Sequence, residues 1–255
     1  MSQWVNYTKD ETMKINVGNG SLLYKLISCT GQLFLAMIEA ILSFFSKEKG
    51  TIIDPKRFAW SIIVEQNTEQ IIAELKAIME DYDTIPSLGD ISDEQKRLIA
   101  GEKSWKTFML YVYGARIEKN ISLCPHTDRI IRSIPGMTMA FFSILEPHTR
   151  LTPHRGPYKG VLRYHLGLIV PQPKEQCGLR VAGQVHHWEV GKSLVFDDTY
   201  IHEAWNDSNE KRVVLFVDFK RDYIFPINLL NDFMIKLIQV SPFIANVLNK
   251  IEARK

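Results

Sequence analysis

Cysteine is scarce in this chain. The three present, Cys29, Cys124 and Cys177, are odd in number, far apart and outside any C-x-x-C pattern, so a disulfide framework is not expected and a reducing, cytoplasmic setting is. An excess of one charge is missing too. Lys and Arg number 31 against 29 Asp and Glu, and no basic run interleaved with aromatics occurs, so no nucleic acid partner is expected. Long apolar runs are also lacking. The best candidate, residues 33–45, is interrupted by Glu39, which would cost about 2.5–3.5 kcal/mol at mid-bilayer, and it falls short of the roughly 20 residues of a span. It reads as a helix packed on the core, the blander reading, or as one lying at a membrane surface. Lys9, Asp10 and Glu11 stand where the apolar stretch of a secretory signal would be, so none is expected.

What is present suits one catalytic domain with helical additions: 255 residues, 45% of them apolar. Asn67 caps a helix running to about Asp81, with Ile71, Ile72, Leu75, Ile78 and Met79 on one face. Residues 83–93 read as a loop, 92–95 as a capping box, and Thr127 or Asp128 as the cap of a helical turn before Pro135-Gly136. From Met137 the texture changes to strands at 138–145, 161–170, 179–182, 185–190, 193–197 and 212–219, with tight turns at Gly183 and Gly191. Residues 227–251 return to helix, broken at Pro242. This pattern predicts a mainly β fold with flanking helices. A double-stranded β-helix core (jelly roll, cupin-like) takes residues 101–222. A helical N-terminal extension, 1–100, packs on the core or a membrane surface, and 223–255 form a C-terminal helical segment.

Within the strand-rich stretch, His154-Arg155-Gly156 is followed 48 residues later by His202, and Arg212 comes ten residues after that. Two imidazoles on neighbouring strands can grip one face of a ferrous ion, and an arginine on the next strand can hold a dicarboxylate cosubstrate. That is the layout of an iron/2-oxoglutarate oxygenase, except that Gly156 stands where a third, carboxylate ligand is usual. Taken alone, each residue has a plainer explanation: a hydrogen-bonded structural His, or a surface Arg212 paired with Glu210 or Asp207. Arg163 and His165 alternate on one strand face opposite Leu162, Tyr164 and Leu166, which suggests an acid-binding interior unless that face is solvated. Asp197 and Asp198 read first as turn formers, with metal ligation or general base as rivals. His126 and His148 read as structural, and His186 and His187 point to opposite faces.

The stretches Ser143-Ile-Leu, Pro153-His-Arg-Gly-Pro157, Leu162-Arg-Tyr-His-Leu-Gly-Leu168, Trp188, Phe196-Asp-Asp-Thr-Tyr-Ile-His-Glu-Ala-Trp205 and Arg212 through Asp218 resemble the aspartyl/asparaginyl β-hydroxylase family, whose bacterial branch includes lipid A 2-hydroxylases. The resemblance implies a double-stranded β-helix, Fe(II), 2-oxoglutarate and O₂. By position, His154 and His202 become metal ligands and catalytic residues, while Ser143 and Arg212 bind the distal carboxylate of 2-oxoglutarate. Arg163 and His165 contact its other end or the substrate's acid group. Gly156 matches the peptidyl hydroxylases of animals, whereas Arg155-Gly-Pro-Tyr-Lys-Gly160 and Tyr164 match the lipid A branch. A β-hydroxylase acting on an acid-bearing peptide or small molecule is therefore expected. A lipid acyl-chain 2-hydroxylase with peripheral membrane contact, an iron halogenase exploiting Gly156, and a non-catalytic cupin-like binding module are the alternatives.

Overall fold

The computed structural model describes residues 22–92, 95–100 and 104–253. Among the described residues twelve strands build two antiparallel sheets. In chain order they are β1 (Ile52–Ile53), β2 (Ile99–Ala100), β3 (Trp105–Val112), β4 (Ala115–Arg116), β5 (Met137–Leu145) and β6 (Thr149–His154), followed by β7 (Val161–Ile169), β8 (Cys177–Val181), β9 (Gln184–His186), β10 (Ser193–Phe196), β11 (His202–Asn206) and β12 (Arg212–Lys220). One sheet runs β1-β10-β7-β12-β5-β3-β4 and the other β2-β6-β11-β8-β9. From β5 to β8 and again from β9 to β12 sequence neighbours alternate between the sheets, as in a jelly roll. The helices are α1 (Leu22–Phe45), α2 (Ala59–Gln66), α3 (Thr68–Glu80), α4 (Leu88–Ile91), α5 (Glu118–Ile121), α6 (Pro125–Arg132), α7 (Ile227–Gln239) and α8 (Pro242–Glu252).

The larger sheet is buried on both faces, so its strands read as nearly continuous apolar runs. On one face Ala140, Phe142, Ile144, Leu162, Tyr164, Leu166, Val213, Leu215 and Val217 pack against Ile71, Leu75 and Ile78 of α3 and Ile131 of α6. That spacing along α3 is the stripe expected from sequence. The opposite face turns Phe141, Leu145, Val214 and Phe216 toward Leu151, Leu179, Val181 and Ala204 of the smaller sheet. Strand alternation therefore sends Ser143, Arg163, His165 and Arg212 between the sheets. Phe141 and Phe216 stack there with centroids 4.1 Å apart, a pairing worth about 0.5–1.5 kcal/mol beyond burial. The β8–β9 hairpin turns through Ala182 (φ 47°) and Gly183 (φ 85°), the left-handed pair that a two-residue hairpin needs.

Several boundaries differ from the sequence expectation. The chain separates after Ile41 rather than at residue 100, and β1 and β2 pair into the sheets, so the segment from 42 to 100 belongs partly to the β core. Residues 83–93 are not a plain loop: Ser87 and Asp90 form a capping box that opens α4. The capping box expected at 92–95 falls partly outside the described residues. Cys124, not Thr127 or Asp128, caps α6, because Pro125 occupies the first helical position. The chain does break before Pro242, where α7 gives way to α8. Among the described residues no helix is long and apolar enough to cross a membrane.

Candidate active site

β6 ends on His154 and β11 begins on His202, and the two are register partners across the smaller sheet. Their ring centroids lie 4.2 Å apart. His154 Nδ1 is 2.7 Å from the Thr152 carbonyl and His202 Nδ1 is 3.0 Å from the Tyr200 carbonyl. A carbonyl only accepts, so both Nδ1 atoms carry the proton and both Nε2 atoms keep a bare lone pair. This is the tautomer that binds a metal, set by the second hydrogen bond of each ring. Burial pushes both imidazoles down, His202 to about 3, with His154 and Arg163 adding repulsion at His202. Both rings are therefore neutral donors at pH 7. Among the described residues no third His, Cys, Asp or Glu joins them in a group able to hold a metal.

A pocket with about 360 Å³ of free space, mouth included, adjoins the pair and is walled by Ser143, Arg163, His165, Trp188, Phe196 and Arg212 among others. The lining, largely apolar with a few convergent polar groups, is that of a small-ligand site. Arg212, the first residue of β12, is 2% exposed. It faces no carboxylate among the described residues, and its Nε has no partner. Its contacts are the carbonyl and hydroxyl of Ser143, each 3.5 Å from Nη1, the Cys177 thiol and the Trp188 ring 4.5 Å away. Burial lowers this guanidinium to about 10, which still leaves it charged at neutral pH. The surface pairing with Glu210 or Asp207 is ruled out. A buried cation with no counter-charge and an unpartnered Nε calls for an anion from outside.

His165 is buried too, its pKa driven well below the usual imidazole value by burial and then by Arg212, Arg163 and His202. Trp188 Nε1 donates to His165 Nδ1 at 3.3 Å, and since indole is only a donor, the proton of the neutral imidazole sits on Nε2. That Nε2–H is buried and has no partner, so it is a donor awaiting an acceptor.

Arg163 faces the pocket as expected, but its charge is already met. Nε and Nη2 hold the two oxygens of Asp218 at 2.9 and 3.0 Å, and Nη2 also reaches Asp198 Oδ2 at 2.9 Å. The acid in this interior comes from the protein itself, which corrects the expectation that Arg163 awaits an external one. Asp218 escaped the sequence reading, although it stands opposite Arg163 in the β12–β7 register. Asp198 is likewise no simple turn former. Burial lifts its carboxyl to about 6 against the pull of Arg163. Asp197 does shape the turn, accepting from the Thr199 amide and hydroxyl.

The Asp198 carboxylate also explains Gly156. A β-carbon at that position would lie 2.0 Å from Asp198 Oδ2. His126 and His148 are structural as read, bonded to Asn67 and Asn209, and His187 bonds the Cys177 carbonyl.

A jelly roll carrying two metal-ready imidazoles beside a buried, anion-seeking arginine has the layout of an oxygenase. A family profile for aspartyl/asparaginyl β-hydroxylases matches residues 65–222. The chain belongs to that family and is an enzyme of the hydroxylase type. An ornithine lipid ester-linked acyl 2-hydroxylase of Rhizobium tropici is 45% identical over 193 residues, 76% of this chain and 68% of that protein. The human aspartyl/asparaginyl β-hydroxylase is 38% identical over 119 residues, 45% of this chain but only 15% of its own length. A prolyl-4-hydroxylase structure from Pseudomonas putida aligns over 74% of this chain and 99% of that one at 15% identity, with a TM-score of 0.38, a likeness too slight to argue from.

Proposed function

We propose that this chain is an Fe(II)- and 2-oxoglutarate-dependent hydroxylase that acts on the acyl chain of a membrane lipid. The observation that carries the chemistry is Arg212, a buried guanidinium with no carboxylate partner among the described residues and an unpartnered Nε, in the same pocket as two imidazoles with bare Nε2 atoms. His154 and His202 would hold the iron, and Arg212 with Ser143 would hold the distal carboxylate of 2-oxoglutarate. When bound, iron with 2-oxoglutarate and O₂ supplies the oxidation of a C–H bond, the cosubstrate leaving as succinate and CO₂. The protein's own part is to bind, orient and exclude water. Trp188 fixes the His165 tautomer so that Nε2–H is offered to an acceptor, while Phe196, Phe216 and Leu179 wall the pocket with apolar surface.

The lipid substrate is supported by the 45% identity to the Rhizobium enzyme, higher and longer than the match to the human peptide-family enzyme. It is supported too by Phe225, Leu229, Phe233, Leu237 and Val240, spaced by three or four residues from just before α7 to just after it and all exposed. A row of this kind suits peripheral contact with a membrane. A peptide substrate remains the second reading because Gly156 matches the animal enzymes. Halogenation is disfavoured by electrostatics, since the space beside Gly156 holds the Asp198 carboxylate, which would repel a halide. A mere binding module fits poorly with an intact His pair and Arg212.

The test is to load purified protein with Fe(II) and 2-oxoglutarate under nitrogen, admit air, and follow succinate and product mass with a short-chain ornithine lipid and with Asp- and Asn-containing peptides. Hydroxylated acyl chain is expected. Hydroxylated peptide with untouched lipid would transfer the assignment to the second reading.

A further inference from the structure

A second cavity, with about 340 Å³ of free space including its mouth, lies between residues 43–50, at and just after the end of α1, and the loop that leads into β11. Ser43, Glu48, Lys49, Lys159, Asp197 and Tyr200 contribute to its wall. Most polar groups here are already committed. One oxygen of Asp197 takes Lys159 and Arg221, and the other takes Thr199. Arg221 also donates to the Val161 carbonyl, the Ser46 hydroxyl and the Glu48 carbonyl. Lys159 stands 5.0 Å from the centre of the Tyr200 ring.

Glu48 is the exception. The residue is 8% exposed, yet its Oε2 is buried with no hydrogen-bond partner among the described residues. Leaving a carboxylate oxygen buried without a donor is costly, so the position calls for a donor, best a cationic one, from outside. Lys49, at the same cavity, bonds only the carbonyls of Ser43 and Phe44, at 2.9 and 3.2 Å, and pairs with no acid among the described residues. The cavity therefore offers one unused acceptor and one cation without a counter-charge.

We propose that this cavity binds the zwitterionic amino-acid head of the lipid substrate, its ammonium donating to Glu48 and its carboxylate facing Lys49. The proposal rests on the lipid-hydroxylase reading above and adds a head-group site to it. Its location suits the task. The Tyr200 side chain walls the cavity while the Tyr200 carbonyl orients His202, so one short stretch of chain borders both the head-group cavity and the imidazole pair. Nearby, Phe44, Tyr200 and Ile201 are exposed, and such an apolar rim would receive the lipid's chains.

The experiment measures equilibrium binding of a short-chain ornithine lipid and of the same lipid with its side-chain amine acetylated, without added iron. Wild type, Glu48→Gln and Ser43→Leu are compared, the last narrowing the cavity. Acetylation is expected to weaken wild-type binding about tenfold or more, since it removes the charge from the hydrogen bond to Glu48. Glu48→Gln should lose as much and be nearly indifferent to acetylation, the signature of a direct pair. Equal wild-type affinity for the two lipids, or an acetylation penalty undiminished in Glu48→Gln, would overturn the proposal. Should Glu48→Gln fail to fold, Ser43→Leu decides: wild-type affinity for the unmodified lipid in that variant also overturns it. Turnover separates the two claims. Hydroxylation of the lipid with binding indifferent to Glu48 removes the head-group site alone, whereas amine- and Glu48-dependent binding without hydroxylation removes the lipid-hydroxylase reading alone.

Discussion

The carboxylate of Asp198 occupies the space that a side chain at Gly156 would need, its Oδ2 lying 2.0 Å from where that β-carbon would be. The same carboxylate is tied to Arg163, which is tied in turn to Asp218. Gly156→Ala should therefore force Asp198 off Arg163 and destabilise the fold by about 1–3 kcal/mol, the usual cost of overpacking. Adding Asp198→Ala removes the clash, so the double variant should be more stable than the sum of the single losses predicts. Denaturant melts of the four proteins check this, and strict additivity would mean that the two residues do not touch.

Arg212→Ala should weaken 2-oxoglutarate binding by roughly 30-fold or more, because truncating one side of a buried charged contact costs about 2–5 kcal/mol. Arg212→Lys should recover only part of this, as a lysine cannot reproduce the planar fork. Calorimetric titration with 2-oxoglutarate is the measurement. A loss under about threefold would contradict a buried anion site.

Metal and cosubstrate binding should be strongly coupled. Two neutral imidazoles make a weak protein site, so 2-oxoglutarate must supply most of the anionic ligation. Fe(II) affinity measured anaerobically should rise markedly when 2-oxoglutarate is present, and either His154→Ala or His202→Ala should abolish metal binding in both series. Identical metal affinities with and without 2-oxoglutarate would count against the arrangement.

Asp197 should contribute stability at neutral pH that disappears in acid. Burial alone would raise its carboxyl, but Arg221 and Lys159 outweigh burial and hold it below its usual value. A carboxyl whose folded-state pKa is depressed stabilises the fold above its unfolded value, about 3.9, and loses that contribution as pH falls through the folded value. The stability gap between wild type and Asp197→Asn should therefore be constant near neutrality and shrink below about pH 4. Chemical denaturation across pH would reveal a gap that fails to narrow.

Peripheral membrane binding should depend on the exposed row along α7. Replacing Leu229 and Phe233 together with Ser should reduce co-flotation with anionic liposomes while leaving the melting temperature nearly unchanged, since both side chains are 54% exposed. Undiminished flotation would assign contact to another surface.

Strands β5, β7, β10 and β12 were legible because β-branched and aromatic residues run between clear turns, and the shared face of Arg163 and His165 followed from alternation alone. β3 was not. Buried along nearly its whole length, Trp105 to Val112 shows no alternation of polar and apolar residues. Pro153 hid β6, since a proline normally argues against a strand, and here it sits at the strand's end where one ladder bond is not missed. Around the site, His154, His202, Ser143 and Arg212 could be picked out by spacing and family likeness. The partnership of Gly156 with Asp198 could not, because it joins positions 42 residues apart through a packing contact that no local pattern encodes. Asp218 could have been found by pairing β7 against β12 once both strands were in hand.

The two imidazoles are oriented by the carbonyls of Thr152 and Tyr200, not by any side chain. Every amino acid supplies that acceptor, so the chemical identity of residues 152 and 200 is decoupled from the donor geometry of the His pair. Sequence drift at those two positions can reshape what meets the substrate or the surface while the metal-ready tautomers persist, which makes the loop before His202 a place where specificity can change without dismantling the centre.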